Sequence, residues 1–296
     1  MKKITILSGK GGVGKSTLTA SLAVLLAKKQ KIVVADCDVD APNLSLIFGV
    51  KRFKSKERIQ TSEKARVIAK ECPKCKKLIG ACSFGAISWD KKNNRPIINK
   101  FLCEGCGLCL LVFPEGTVTL DKVENATIGI AKTDYGFYLV TGELEIGESG
   151  SGKIITAVKD TANEIGRKEN AEYMIIDSSP GIGCPVISSI HGSDYVIAIT
   201  EPTPSAMHDL QRVLRVVEHF KVPYGIVINK WDINKKFTTK IENFASRQGI
   251  KVLGKLPYDK VFVKALVNLK PVVIFNNRYV GFFKKILNDV VGFMTS

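Results

Sequence analysis

Apolar residues in this chain fall into short, nearly unbroken runs separated by longer amphipathic stretches. The runs Ile4–Leu7, "KIVVADC", "YMIID", "DYVIAIT" and "YGIVINK" are each short, rich in β-branched residues and free of internal polar alternation. That pattern predicts strands buried on both faces, as in a parallel sheet. Helical spacing follows Lys15 and recurs beside the later strands, so the expected fold is α/β, a mainly parallel sheet with helices on both faces. The tail "YVGFFKKILNDVVGFMTS" places Phe283, Ile286, Leu287, Val290 and Met294 on one side of a helix, which suits docking on the body of the protein.

Between "NLSLIFG" and "ATIGIAKTDYGFYLV" the regular pattern lapses for about 75 residues. This stretch is lysine-rich and holds six of the eight cysteines, at 72, 75, 82, 103, 106 and 109. The expected organisation is therefore a first part at 1–52, an insert at 53–122 and a second part at 123–296. A chain of 296 residues with 45% hydrophobic composition is long enough for a large α/β domain with such an insert. A signal peptide is not expected, because the short apolar run after the basic start meets a glycine-rich loop rather than a cleavage site, and no apolar stretch nears the roughly 20 residues that span a bilayer. A cytoplasmic location follows, and in a reducing compartment clustered cysteines read as metal ligands before disulfides. The net charge is +16. From Lys51 to Lys122 there are sixteen Lys or Arg against seven Asp or Glu, a balance that fits an acidic protein partner or a lysine-rich solvated surface. No specific nucleic-acid motif accompanies it.

The segment "GKGGVGKST" satisfies G-x-x-x-x-G-K-[ST] from Gly9 to Ser16, between a strand and a helix as the motif requires. Its chemistry is phosphate binding. Backbone N–H groups of Gly11, Gly12, Val13, Gly14, Lys15, Ser16 and Thr17 surround the phosphates, Lys15 neutralises them, and the Ser16 hydroxyl takes Mg²⁺. "GESGSGKI", 147–154, nearly repeats the motif but has Ile154 where the hydroxyl belongs. It reads as a turn entering a helix.

With Lys10 as a second lysine, the loop resembles the deviant P-loop of the MinD/ParA/Mrp group of ATPases. Further likeness lies in "VADCDVD", in "IIDSSPGIGCPVI" and in "ITEPTPSAMHDLQRVL", where Pro202 and Pro204 shape the loop before a helix. The resemblance implies ATP and Mg²⁺ as ligands and a homodimer closed through the nucleotide face, with Lys10 reaching the partner's nucleotide. It implies that Asp38 orients the attacking water, that Asp36 lies beside the Mg²⁺ shell and that Asp177 holds the ion through water. It also places Asn229 and Pro257 at the nucleotide and suggests that Ser149 to Lys153 approach the dimer interface. "NKWD", 229–232, matches the N-K-x-D element of GTPases as well, so Asp232 keeps GTP as the alternative to ATP. Some members of the group reach membranes through a C-terminal helix, but membrane contact is not expected here.

The insert resembles a two-cluster ferredoxin, in which the fourth cysteine of each C-x2-C-x2-C-x3-C run ligates the cluster of the other run. The first run has Cys72, Cys75, Leu78 and Cys82; the second has Cys103, Cys106, Cys109 and Phe113. Under the crossing rule Cys103, Cys106, Cys109 and Cys82 complete one 4Fe-4S site. Both losses fall on the other, whose place Leu78 and Phe113 would fill. Cys72 and Cys75 are then spare thiols, a pair able to bridge a second cluster across a dimer, or zinc ligands with Cys103 and Cys106. Cys37, Cys184, His191, His208 and His219 carry no ligand spacing.

The expected fold class is thus a P-loop α/β domain with a small inserted α+β ferredoxin-like domain. The expected function is ATP hydrolysis serving iron–sulfur or metallocofactor assembly and delivery. The alternatives are ATP-gated electron transfer, as in the nitrogenase iron protein group, or a nucleotide-switched scaffold.

Overall fold

The computed structural model describes residues 1–295. The chain opens with β1 (Lys2–Leu7), α1 (Lys15–Ala27), β2 (Ile32–Cys37), α2 (Leu44–Ile47) and β3 (Ser55–Ile59). There follow β4 (Ser62–Val67), a 3-10 segment (Pro73–Ala81), β5 (Ile87–Asp90), β6 (Arg95–Ile98), α3 (Leu108–Val112), β7 (Val118–Val123), β8 (Ala126–Lys132) and β9 (Tyr138–Leu144). Regular alternation returns with α4 (Ser151–Lys168), β10 (Tyr173–Ser178), α5 (Cys184–Ile190), β11 (Tyr195–Thr200), α6 (Pro204–His219), β12 (Tyr224–Asn229), α7 (Lys235–Arg247) and β13 (Lys251–Leu256). The chain closes with α8 (Lys260–Val267), α9 (Val272–Phe275) and α10 (Val280–Thr295).

These elements divide into two compact units, one made of Arg58–Thr127 with Leu144–Gly150, the other of the remaining described residues. In the larger unit the sheet order runs β13-β12-β11-β1-β10-β2-β9-β8-β3. All pairings from β13 to β9 are parallel. Both faces of the central strands are covered. Ile4, Ile6, Val34, Ile197 and Val227 point into a core shared with α1 and the C-terminal helices, while Leu7, Val196, Ala198, Ile226 and Ile228 join α5, α6 and α7. This explains the unbroken apolar runs, since period-2 alternation needs one wet face. The last strand, "KVLGKL", was not anticipated from its pattern. Its Lys251 and Lys255 are exposed at the sheet edge, where lysines discourage strand pairing with another chain. The tail helix α10 buries Phe283, Ile286 and Val290 completely, with Met294 packed against the same core. No helix among the described residues is long and apolar enough to cross a membrane.

In the smaller unit β4 pairs antiparallel with β7, and β5 with β6. Each half runs strand, cysteine segment, strand. The sequence placed this insert at 53–122, whereas the unit begins at Arg58 and includes Leu144–Gly150. That late segment is held by side chains of the insert: Asn125 Nδ2 donates to the Ser149 carbonyl at 2.9 Å, and Lys64 Nζ meets Glu148 Oε1 at 3.0 Å. Half of the near-P-loop "GESGSGKI" therefore belongs here, and α4 starts at Ser151, as a turn leading into a helix would place it. With these bounds the unit carries twelve Lys or Arg against nine Asp or Glu. Lys51, Arg52, Lys54 and Lys56 lie in the larger unit, so the charge of the insert is too small to single out an acidic partner.

Candidate functional site

The P-loop joins β1 to α1. Gly14 has φ 99°, and a side chain there would meet Asn229 Nδ2 at 2.4 Å, so only glycine fits. Asn229, at the end of β12, uses that closeness: its Nδ2 donates to the Val13 carbonyl at 2.7 Å. The loop borders a cavity of ≈ 410 Å³ lined by Gly11, Gly12, Gly14, Lys15, Ser16, Thr17, Asp38 and Asn43. Leu46, Ile47, Leu266 and Leu269 add an apolar wall that the sequence motifs did not reveal, because those residues match no phosphate-binding pattern. Asn229 and Pro257 do not line this cavity.

At its floor, Lys15 Nζ lies 3.1 Å from Asp177 Oδ1 and 3.2 Å from Asp38 Oδ2. Burial alone would lower the Lys15 pKa, but Asp177, Asp38 and Asp36 outweigh it and hold the ammonium above its ordinary value. Asp38 is shifted up, first by burial, with Lys15 offsetting only part of the effect. Thr19 Oγ1 donates to Asp177 Oδ1 at 2.7 Å, while Asp177 Oδ2, Ser8 Oγ and Asn43 Oδ1 are buried without a hydrogen-bond partner. Orphaned acceptors beside a buried carboxylate suit the water shell of Mg²⁺, which prefers waters and phosphate oxygens to an all-protein cage. The Ser16 hydroxyl lies 3.5 Å from Lys15 Nζ, and Ser16 and Asp177 are the residues that could hold such an ion.

Asp36, expected beside the Mg²⁺ shell, is also tied to the backbone that follows β2. Its two oxygens accept from the backbone N–H groups of Asp38 (3.3 Å), Asn43 (3.2 Å) and Leu44 (3.0 Å), so it shapes the loop that carries Asp38. Burial, and then the charge of Asp177, push its pKa up to about 7. Asp232 is committed too: its Oδ1 accepts from the Tyr258 N–H at 2.7 Å, which ties together the loops after β12 and β13. Lys10 stands at the rim, its side chain 42% exposed and 3.4 Å from Glu201 Oε1.

In the smaller unit, Cys82, Cys103, Cys106 and Cys109 line one cavity together with Ala65, Ala86, Ile87, Ile98 and Leu120. Its cysteine segments turn on Gly105 (φ 63°), where a side chain would strike the Glu63 carbonyl at 2.0 Å. The Ala65 N–H points at Cys103 Sγ, 3.3 Å away. Burial raises the Cys109 thiol, with Cys103 and Cys106 adding to the shift. Cysteines gathered among apolar side chains, where a lone thiolate is disfavoured, suit ligands whose charge a metal group would neutralise. Among the described residues no three His, Cys, Asp or Glu converge as around a single ion.

Cys72 and Cys75 are joined as a disulfide, and neither offers the free thiolate that a bridging or zinc site needs. They form a buried cluster with Ala65, Phe113 and Val118, against which Leu78 packs. Cys37 is fully buried in β2 and Cys184 is exposed at the start of α5. His208 faces Asp209 at 3.5 Å, and His191 and His219 pack edge-on to Phe220.

The model of the CobQ/CobB/MinD/ParA nucleotide binding domain matches residues 4–272. An uncharacterized protein of Methanocaldococcus jannaschii is 41% identical over 266 residues, 90% of this chain and 88% of that one. The iron-sulfur cluster carrier protein of the same organism is 24% identical over 303 residues, 98% of this chain and 83% of its own length. Among solved structures, the septum site-determining protein MinD with Mg-ADP from Pyrococcus horikoshii shares the fold with a TM-score of 0.60 at 19% identity, over 98% of this chain and 95% of that one.

Proposed function

Because the chain belongs to the CobQ/CobB/MinD/ParA nucleotide-binding family, we propose that its ATP cycle serves a 4Fe-4S cluster bound in the inserted unit, in iron–sulfur or metallocofactor assembly. Members of this family are ATPases, and this chain is an ATPase. The observation that carries the rest is the grouping of cysteines. The four that the crossing rule pairs, Cys82, Cys103, Cys106 and Cys109, share one cavity, while Leu78 and Phe113, which stand at the two missing cysteine positions, pack with the disulfide. The repeated strand, cysteine segment, strand order supports a ferredoxin-like reading of this unit, and the likeness to an iron-sulfur cluster carrier protein supports delivery.

In the nucleotide site, Lys15 exchanges its carboxylate partners for phosphate oxygens when ATP enters. Ser16 and Asp177 would hold Mg²⁺, which would supply positive charge against the phosphates. Asp38, freed from Lys15, is then available to orient the attacking water. The loop that carries Asp38 and the loop that follows Asp177 and β10 thereby report nucleotide state, and the exposed Lys10 supports a homodimer closed through this face. A bound cluster would supply either transferable cargo or a one-electron centre.

Anaerobic purification followed by iron, sulfide and zinc analysis tests the reading, with about four irons per chain expected. A carrier then loses its cluster to an apo-acceptor in a nucleotide-dependent manner. Retention through repeated reduction cycles would favour electron transfer, and a colourless or zinc-loaded protein would refute both.

A further inference from the structure

Glu201 follows β11, its side chain only 12% exposed, and it holds two lysines at once. Lys230 Nζ lies 2.9 Å from its Oε2 and Lys10 Nζ 3.4 Å from its Oε1. Lys230 is fixed from several sides. Its backbone is left-handed at φ 52°, uncommon for a residue with a side chain, its N–H donates to Asn229 Oδ1 at 3.0 Å, and its ammonium also lies 3.5 Å from the Gly12 carbonyl. This arm of the clamp is thus built into the loop after β12 and rests on the P-loop itself. Lys10 is the opposite case. It is more exposed than Lys230, 42% against 29%, and its contact is longer. Of the two ion pairs, the one to Lys10 is the weaker and the more easily exchanged.

We propose that Glu201 is a positioning residue that parks Lys10 against its own P-loop in the free protomer and releases it to the nucleotide phosphates of a second copy. The inference rests on the reading of an ATP-driven homodimer. Phosphate oxygens carry more charge than one carboxylate already shared with Lys230, so the exchange favours the dimer only once nucleotide is present. Glu201 thereby raises the threshold for association without touching nucleotide.

Two measurements on the full chain test it. In nucleotide-free protein, the rate of Lys10 acetylation by an amine-reactive ester, read by mass spectrometry, should rise about threefold in Glu201→Gln, as expected for loss of a partly exposed pair. In sedimentation with Mg²⁺ and a non-hydrolysable ATP analogue, Glu201→Gln should tighten dimerisation by a similar factor. Glu201→Asp, too short to reach both lysines, should do likewise while retaining the native unfolding temperature. In a Lys10→Ala background the Glu201 substitution should change nothing further. Unchanged Lys10 labelling, or an equal effect with and without Lys10, overturns the proposal. A wild-type protein that stays monomeric with the analogue instead overturns the dimer reading itself, whatever the labelling shows.

Discussion

Phe113 lies in the same buried apolar cluster as Cys75, the two side chains 5% and 0% exposed. The residue that interrupts the second cysteine run thus fills the space beside the pair left over from the first. Cys82→Ala should therefore abolish cluster binding, because it removes one of four thiolates that line the other cavity. Phe113→Ala should leave iron content unchanged and lower stability by about 3 kcal/mol, the usual cost of emptying a packed phenylalanine site. Iron analysis combined with chemical unfolding separates the two outcomes. Loss of iron in Phe113→Ala with the fold intact would mean that the cysteines were grouped wrongly.

Asp38 and Lys15 form a buried ion pair that ATP must break. Asp38→Ala should retain nucleotide affinity within a few fold while lowering the hydrolysis rate about 100-fold, the scale of losing a group that directs the reacting water. Lys15→Ala should lose binding as well, because it removes the phosphate partner and leaves Asp38 and Asp177 facing each other unneutralised. Equilibrium binding of a fluorescent ATP analogue and single-turnover hydrolysis distinguish a binding defect from a chemical one.

Asp36 makes the nucleotide-free protein sensitive to pH. Its folded pKa of about 7 lies above the unfolded value of 3.8, so between those values the folded state binds more protons. Stability contributed by this group is then present at low pH and is lost as pH rises from about 4 through 7. The amplitude is on the order of a few kcal/mol. Urea titrations of metal-free protein at pH 5.5 and 7.5 should show this fall, and Asp36→Asn should flatten it. An unchanged slope in Asp36→Asn would assign the titration to another group.

The sequence announced the P-loop and the central strands because each is a local signal: glycines at fixed offsets, or apolar runs dictated by two covered faces. The crossing rule implied by the ferredoxin resemblance put Cys82 with Cys103, Cys106 and Cys109, and the four line one cavity. Contacts made by distant segments were not legible. The sequence around Asp36 does not show that the amides of Asn43 and Leu44 fold back onto it. Nothing in "GESGSGKI" shows that Asn125 will hold the Ser149 carbonyl, or that Glu201 will face two lysines from different loops. The disulfide was missed because a C-x2-C pair beside other cysteines has the same spacing whether it ligates or closes on itself.

Lys159 of α4 donates to the carbonyls of Ser188 (2.7 Å), Ser189 (3.1 Å) and His191 (2.6 Å) at the end of α5, the helix that follows the loop after β10. Ser189 O has further donors in Thr5 and Ser193, so Lys159→Met chiefly orphans the other two carbonyls. Both of these bonds are only partly buried, so water can replace much of the lost donor and a cost of about 1 kcal/mol is expected, read as a lower urea midpoint at unchanged slope. Burial pulls the Lys159 ammonium down to about 8 from 10.5. Between those values the unfolded chain binds more protons than the folded one, so wild-type stability should rise with pH from about 8 to 10. Lys159→Met should lack that rise. A variant as stable as wild type, with the same pH slope, would show that the three carbonyls find other donors and that α5 does not depend on α4 for its anchorage.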